Sequence, residues 1–221
     1  MTDINTAFTQ IRAHYQGQPI RVALYNAAQG VWKHVLGATP EDVEAVTQAN
    51  IEVAFALSKN IIQAFKANGV NEKGKRGSLI FTGATASVRG NVTTSAFSAG
   101  KPAFRTLLQS LAKEFWEAGY TCTASIIDGG ILTNLCPQRR NDPEWEQNED
   151  VELSPGGITE LHLIKESRST WTRELNLRPA HEKWYMSTCC QFRMLYYTFS
   201  CLLCSITSED LFSLNLMSCA R

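Results

Sequence analysis

The sequence predicts an α/β fold in which helices pack on a parallel sheet, and two of its features support this prediction. Three short apolar runs rich in β-branched residues alternate with two long segments of helical periodicity. These runs end at or just before Asn26, Thr82 and Asp128. Because parallel strands are joined by crossovers that are usually helices, this order predicts a parallel sheet with right-handed connections. Ligands of such sheets bind at the carboxyl ends of the strands, where these three residues are expected to lie.

The chain is expected to open with an amphipathic helix and a buried strand. The helix covers residues 2–15, and its apolar stripe is formed by Ile4, Phe8, Ile11 and Tyr15. Gly17 and Pro19 interrupt this pattern. Residues 20–25 then form an apolar, β-branched run, which predicts the first strand.

A long second helix is expected from Thr39 to about Ala67. Thr39 is suited to the N-cap and Pro40 to the first helical position, and two acidic residues follow them. The predicted buried face consists of Val43, Val46, Ala49, Asn50, Val53, Leu57, Ile61 and Phe65. Asn68 and Gly69 end the helix, and residues 78–82 form the second predicted strand.

The third helix is expected over residues 95–117. Its inward side chains are Phe97, Phe104, Leu108, Leu111 and Phe115. Gly119 ends it, and residues 121–127 form the third predicted strand. After a polar loop at 137–152, a further helix is expected at 154–164 and a strand candidate at 169–177.

The end of the chain differs in composition from the rest. Five of the seven cysteines lie after position 188, and residues 185–221 contain neither glycine nor proline. We therefore divide the chain into one domain at 1–184 and a tail at 185–221 to which we assign no fold, interpreted as disordered or non-homologous. Cys201 and Cys204 could be a redox or metal pair in a separate module, but the second ligand pair of a zinc site is missing, so we predict no metal.

Charge and hydropathy exclude several partner classes. Lysine plus arginine (21) balance aspartate plus glutamate (21), so no net charge attracts the chain to nucleic acid or to an anionic membrane. Residues 1–5 do not resemble the start of a secretion signal, and no apolar run approaches about 18 residues. We expect a soluble cytoplasmic protein whose partner is a small molecule.

Five segments along the chain carry a family resemblance. In order they are Tyr25-Asn26-Ala27-Ala28, Asn50, Phe97-Ser98-Ala99-Gly100-Lys101, residues 128–133 and residues 169–179. Together, over about residues 2–184, they resemble the short-chain dehydrogenase/reductase family. The last segment resembles a branch whose members also carry phenylalanine at the position of the family's catalytic tyrosine. The resemblance implies a Rossmann-like, doubly wound sheet and NAD or NADP as cofactor.

The resemblance also assigns roles to residues. Asn26 and Ala27 would lie beside the cofactor, although Asn26 could simply end a strand. Asn50 would bend its helix and fix a water in the proton relay, unless it lies at the margin of the buried face. Lys101 would hold the nicotinamide ribose. Ile131 and Thr133 would contact the carboxamide, unless the glycines before them form a plain turn.

Two catalytic positions of the family are changed in this sequence. Phe97 stands where the tyrosine is expected and cannot exchange a proton, so acid–base duty would pass to water or to a hydroxyl such as Thr85 or Ser95. Ala84 stands at the position of the substrate-orienting serine, with Thr82 and Thr85 as the nearest hydroxyls. Pro102 follows Lys101 and is expected to disturb the helix there.

The glycine-rich turn that holds the cofactor's pyrophosphate in the family is not found in this sequence. By analogy the first three strands are missing too, so we expect an N-terminally truncated, incomplete sheet. The first predicted strand, at residues 20–25, would then be an exposed edge.

Two functions are compatible with these patterns. The first is an NAD(P)-dependent oxidoreductase acting on a small carbonyl or alcohol. The alternative is a catalytically inactive truncated fragment, acting at most as a scaffold that forms a homodimer through its long helices.

Overall fold

The computed structural model describes residues 2–131, 153–158, 161–180, 202–207 and 210–215. Its helices are α1 (Thr2–His14), α2 (Pro40–Thr47), α3 (Ala54–Lys66), α4 (Ser95–Phe115) and α5 (Leu161–Lys165). Its strands are β1 (Val22–Tyr25), β2 (Gly77–Ala84), β3 (Tyr120–Ile127), β4 (Glu174–Leu177), β5 (Leu202–Thr207) and β6 (Asp210–Asn215). Short 3-10 turns lie at Val35–Gly37, Thr85–Ser87, Pro155–Ile158 and Arg168–Thr170.

The predicted parallel sheet is confirmed. The strand order is β4-β3-β2-β1-β5-β6, and β1 to β4 are parallel to one another. Ala84 of β2 pairs with Ile127 of β3, which pairs with Leu177 of β4, so these three strands end side by side. The polar residues that follow them are therefore placed at one edge of the sheet.

The α2–α3 segment begins as its sequence predicts but contains a wider turn. The Thr39 hydroxyl accepts from the Asp42 backbone N–H, and the Asp42 carboxylate accepts from the Thr39 N–H, which forms a capping box before Pro40. A π-helical turn at Gln48–Val53 joins α2 to α3. Val43, predicted to face inward, is 49% exposed, so that part of the prediction is wrong.

One apolar core joins the sheet to the helices. Phe8 of α1, Leu57 and Ile61 of α3 and Phe104 of α4 belong to a single buried cluster with residues of β1, β2 and β3. The rings of Tyr25, Phe81 and Phe104 pack with centroids 5.0 to 6.5 Å apart. Helix α4 continues through Pro102, so the proline does not end it.

Two predicted elements are shorter in the structure. The strand candidate at 169–177 forms a strand only at Glu174–Leu177, because residues 168–170 form a 3-10 turn. The helix expected at 154–164 is divided into the turn Pro155–Ile158 and helix α5. The predicted loop at 137–152 lies outside the described residues.

The C-terminal region contributes two strands to the sheet, although the sequence analysis assigned no fold to it. Strand β5 pairs antiparallel with β1, with Val22 opposite Cys204, and β6 pairs antiparallel with β5. The edge of β1, expected to be exposed, is therefore covered by another segment of the same chain. No helix in the described part of the chain is both long and apolar enough for a transmembrane span.

Candidate active site

Four residues follow the parallel strands directly: Asn26 after β1, Thr85 after β2, Asp128 after β3 and Arg178 after β4. Asn26 is exposed, whereas its neighbour Ala27 is buried. Because parallel strands share a direction, these residues lie at the carboxyl edge of the sheet, the usual ligand-binding edge of such folds.

Asn50 is fully buried within the π-helical turn, so it does not lie at the margin of the helix face. Its side-chain amide donates to the carbonyl of Gln29 at 3.2 Å. The Tyr25 hydroxyl donates to the neighbouring Ala49 carbonyl at 2.6 Å, which ties the wide turn to β1. Among the described residues, no group hydrogen-bonds the Asn50 Oδ1. A buried polar atom of this kind is suited to binding a water or a ligand.

Gly100 allows the α2–α3 segment to approach α4 closely. A Cβ at this position would lie 2.5 Å from Val46 Cγ1 and 3.0 Å from Asn50 Nδ2. Only glycine fits there without a shift of its neighbours. The π-helical turn therefore packs against α4 immediately before Lys101.

Lys101 is 4% exposed and lies in an aromatic environment. Its Nζ donates to the Thr82 carbonyl at 3.1 Å and lies 4.4 Å from the Phe104 ring centroid and 5.6 Å from that of Phe97. Burial lowers the pKa of the ammonium to about 7. The two ring faces attract the cation and oppose this effect, because a desolvated cation–π contact is worth about 2 kcal/mol or more.

Phe97 occupies the position where the resemblance expects a tyrosine, and an indole packs against it. The centroids of Phe97 and Trp32 are 5.2 Å apart. The Trp32 ring folds over Gly30, where a Cβ would lie 2.1 Å from it. The sequence analysis missed Trp32, and the only sequence signal for it was a large aromatic residue two positions after a glycine in the loop that follows β1.

A buried ionic cluster surrounds Asp128. The Arg89 guanidinium binds its carboxylate through two contacts of 3.0 Å, and the Thr85 hydroxyl donates to it at 2.7 Å. Arg178 also donates to this carboxylate. The sequence analysis placed Asp128 at the end of a strand, at the ligand-binding edge, but missed both arginines. The signal available was a pair of arginines close to two predicted strand ends.

This cluster changes the interpretation of Thr85. The residue was proposed as a possible proton donor, but its hydroxyl hydrogen is directed to Asp128. Ser95, the other hydroxyl candidate, is exposed at the start of α4. The structure thus gives Thr85 a structural partner and leaves Phe97 with an indole and an ammonium as neighbours.

The remaining predicted residues lie around the end of β3. Ile131 is 36% exposed and forms a parallel bridge with Leu153. A Cβ at Gly129 would lie 2.6 Å from Pro179, so this turn also requires glycine. Thr133 lies outside the described residues, and its predicted contact with the cofactor stays a prediction. The structure places Asn50 in the π-helical turn that packs on Gly100, the residue before Lys101 in α4.

Comparisons with known proteins agree with the fold. An alcohol dehydrogenase from Thermococcus sibiricus complexed with 5-hydroxy-NADP superposes with a TM-score of 0.64 at 18% identity, over 81% of this chain and 71% of that one. A gluconate 5-dehydrogenase from Burkholderia cenocepacia in complex with NADP and tartrate gives 0.64 at 15% identity, over 80% and 69%. An actinorhodin polyketide ketoreductase with NADPH gives 0.65 at 19%, over 82% and 74%.

The sequence comparison identifies the family. No curated protein sequence matches the chain significantly. The family model described as short chain dehydrogenase matches residues 1–144, well over half of the 221 residues. This protein belongs to the short-chain dehydrogenase family.

Proposed function

We propose that this chain is an NAD(P)-dependent oxidoreductase that acts on a small carbonyl or alcohol substrate. One observation supports it above the others: the π-helical turn with buried Asn50 packs on Gly100, directly beside Lys101. Family membership supports the reaction class. The three structural neighbours above, solved with NADP, NADPH or 5-hydroxy-NADP, make NADPH the first cofactor to test.

The described residues fit the nicotinamide–ribose end of such a cofactor. Lys101 is an ammonium donor on the helix beside the strand ends, and Asn50 Oδ1 is a buried acceptor that no described group uses. These are the groups that would hold the ribose and a water. A glycine-rich turn for the pyrophosphate does not occur after any strand of the described sheet.

The cofactor, when bound, would supply or accept the hydride. Lys101 would donate its hydrogen bond to the ribose hydroxyls instead of to the Thr82 carbonyl, and it would thereby orient the nicotinamide ring. Asn50 would hold a water close to the ammonium, and this water would carry the proton that Phe97 cannot donate. Trp32 and Phe97 would form an apolar wall that excludes bulk water from the reacting carbon.

Calorimetric titration with NADPH and NADH tests this proposal. Saturable binding is expected for the whole chain, and Lys101→Met should weaken it at least tenfold, about 1.4 kcal/mol. Lys113→Met is the matched control, because Lys113 is exposed on the same helix. Absence of saturable binding to the unaltered chain would contradict the proposal and favour the inactive scaffold.

The scaffold alternative rests on a separate observation. Val43, Ile51 and Phe55, spaced along the α2–α3 segment, are 49%, 40% and 61% exposed. Contiguous exposed apolar patches mark protein–protein interfaces, and a homodimer formed through these helices would bury the three side chains. If the chain forms a homodimer there, light scattering should give twice the chain mass, and Phe55→Glu should return it to the monomer mass. A monomer mass for the unaltered chain would contradict the dimer.

A further inference from the structure

Trp32 is fixed in place by the loop that carries it. This loop follows β1, and it is anchored to the α2–α3 segment on both sides of the indole. Before Trp32, the Gln29 carbonyl accepts from the Asn50 amide at 3.2 Å. After it, Lys33 Nζ lies 2.6 Å from the Asp42 carboxylate. The indole is therefore held in a preformed position, so a ligand that packs against it would not have to order the loop first.

The indole extends the apolar surroundings of Lys101 outward. Its six-membered ring lies over Gly30, where a Cβ would be 2.1 Å from it, and its centroid lies 5.2 Å from that of Phe97. The Phe97 ring lies in turn 5.6 Å from Lys101 Nζ. Trp32 is only half-buried, so part of its surface is accessible without any opening of the protein. The two rings thus form an apolar surface that begins beside the lysine and reaches solvent.

Two loops near this surface carry exposed apolar side chains. Val35 and Leu36, in the 3-10 turn a few residues after the indole, are 70% and 98% exposed. Val92, in the loop after β2, is 62% exposed. The second loop lies against the start of α4, because a Cβ at Gly90 would be 3.9 Å from the Ser98 Cβ, next to the phenyl ring that packs on the indole. Exposed apolar side chains that gather at one place mark a binding surface.

We propose that Trp32 determines substrate specificity by packing against the apolar part of the substrate. The substrate class is then an aryl or alkyl carbonyl compound, or the corresponding alcohol. A polyol would lose the hydration of its hydroxyl groups against the two rings without gaining hydrogen-bond partners from the phenyl ring or the six-membered ring of the indole. This inference rests on the proposed oxidoreductase function and deepens it, because it names the chemistry of the substrate.

Nuclear magnetic resonance on the full chain tests this contact without turnover. Isotope-labelled tryptophan gives one indole N–H signal for each of the five tryptophans, and Trp32→Phe identifies the signal of Trp32. Benzyl alcohol should shift this signal saturably, whereas glycerol at the same concentration should not. Trp116 is the internal control, because it lies at the other end of α4, roughly 28 Å along the helix from Phe97. Its signal should stay in place.

Turnover with NADPH separates a specificity role from a structural one. Trp32→Ala should lower kcat/KM for benzaldehyde at least about tenfold and change that for glyceraldehyde less than about twofold, because only the aryl substrate packs against the indole. Trp32→Phe keeps an aromatic face and should restore most of the loss. Trp116→Ala, the matched control, should alter neither value. Equal losses for both aldehydes in Trp32→Ala would refute the proposal.

The two experiments distinguish this inference from the function on which it rests. If the unaltered chain reduced neither aldehyde, the oxidoreductase function would be contradicted, and the titration with benzyl alcohol would still decide whether Trp32 binds an apolar ligand. That titration is made on the unaltered chain, with and without NADPH, so it does not depend on whether a variant folds. A Trp32 signal that benzyl alcohol leaves in place under both conditions, or that glycerol shifts equally, would overturn the proposal.

Discussion

The surroundings of Lys101 could be predicted from the sequence only in part. The spacing from Phe97 to Lys101 placed both on one helical face, and the structure confirms that the ammonium lies 5.6 Å from the Phe97 ring. The sequence could not show that Phe104, three residues later, lies closer still, at 4.4 Å. Nor could it show that the Thr82 carbonyl accepts the hydrogen bond, since this depends on how β2 and α4 pack.

This burial predicts a pH dependence of stability. The pKa of Lys101 is lowered to about 7 in the folded chain, from an ordinary value of 10.5. Above pH 7 the unfolded chain therefore binds more protons at this residue, and the free energy of unfolding should rise with pH by up to about 1.4 kcal/mol per pH unit. Urea unfolding at pH 7 to 9 should show this rise in the unaltered chain and a smaller one in Lys101→Met.

A second buried group, the Cys122 thiol, sets the upper limit of the pH range over which stability should rise. Burial raises the pKa of the Cys122 thiol from 9.0 to about 12, so above pH 9 only the unfolded chain loses this proton and stability should fall. Measurements below pH 9 separate the two residues. Equal pH slopes for the unaltered chain and Lys101→Met would contradict the lowered lysine pKa.

At the scale of elements, the sequence was informative about where helices begin but not about their internal geometry. Thr39 and Pro40 gave the start of α2 because capping is a local interaction. The π-helical turn at Gln48–Val53 was invisible to a search at a period of 3.6 residues. Because such a turn inserts one extra residue, the buried face of α3 is rotated relative to that of α2, and one period of 3.6 residues does not fit both helices.

The close packing of the α2–α3 segment on Gly100 of α4 predicts the effect of adding one methyl group at position 100. Gly100→Ala would gain up to about 1 kcal/mol from helix propensity, but its Cβ would lie 2.5 Å from Val46 Cγ1. Overpacking of this kind costs about 1–3 kcal/mol, so we expect a net loss of stability in urea unfolding. The π-helical turn should also be displaced from α4, which NADPH titration would report as weaker binding.

Gly90→Ala is the matched control, because a Cβ there would meet its nearest atom at 3.9 Å, an ordinary contact. It should change the free energy of unfolding by less than about 0.5 kcal/mol. If Gly100→Ala were as stable as this control, the close approach of the π-helical turn to α4 would be disproved.

At the scale of the whole molecule, the parallel sheet was predictable and its long-range ties were not. Strand and helix alternation fixed the order of β1 to β3, because sequential elements in such folds are adjacent in space. Strand β5 could not be assigned, since its pairing with β1 depends on an edge about 180 residues away in the chain. The contacts of Arg89 and Arg178 with Asp128 could not be predicted for the same reason, because these residues are 39 and 50 positions from Asp128 in the chain.

That ionic cluster predicts a large effect from removal of one charge. Asp128 is fully buried at the end of β3. Hydrogen bonds to its carboxylate link the turn after β2 and the end of β4 to this position. Asp128→Asn keeps the shape but removes the carboxylate from both guanidinium groups. Breaking a fully buried pair costs about 3–5 kcal/mol. Because a third of the Arg89 side chain is exposed, we expect a smaller loss, about 2–3 kcal/mol, in urea unfolding.

An exposed ion pair provides the comparison. Lys33→Gln removes the Lys33–Asp42 pair, whose lysine side chain is 46% exposed, and should change the free energy of unfolding far less than Asp128→Asn, because solvent screens an exposed pair. Arg89→Lys separates charge from geometry, because lysine keeps the charge but not the two-point contact with the carboxylate. An intermediate loss for Arg89→Lys would show that the paired geometry holds the strand ends together. If Asp128→Asn cost no more than Lys33→Gln, Asp128 would not be the tie between these strands.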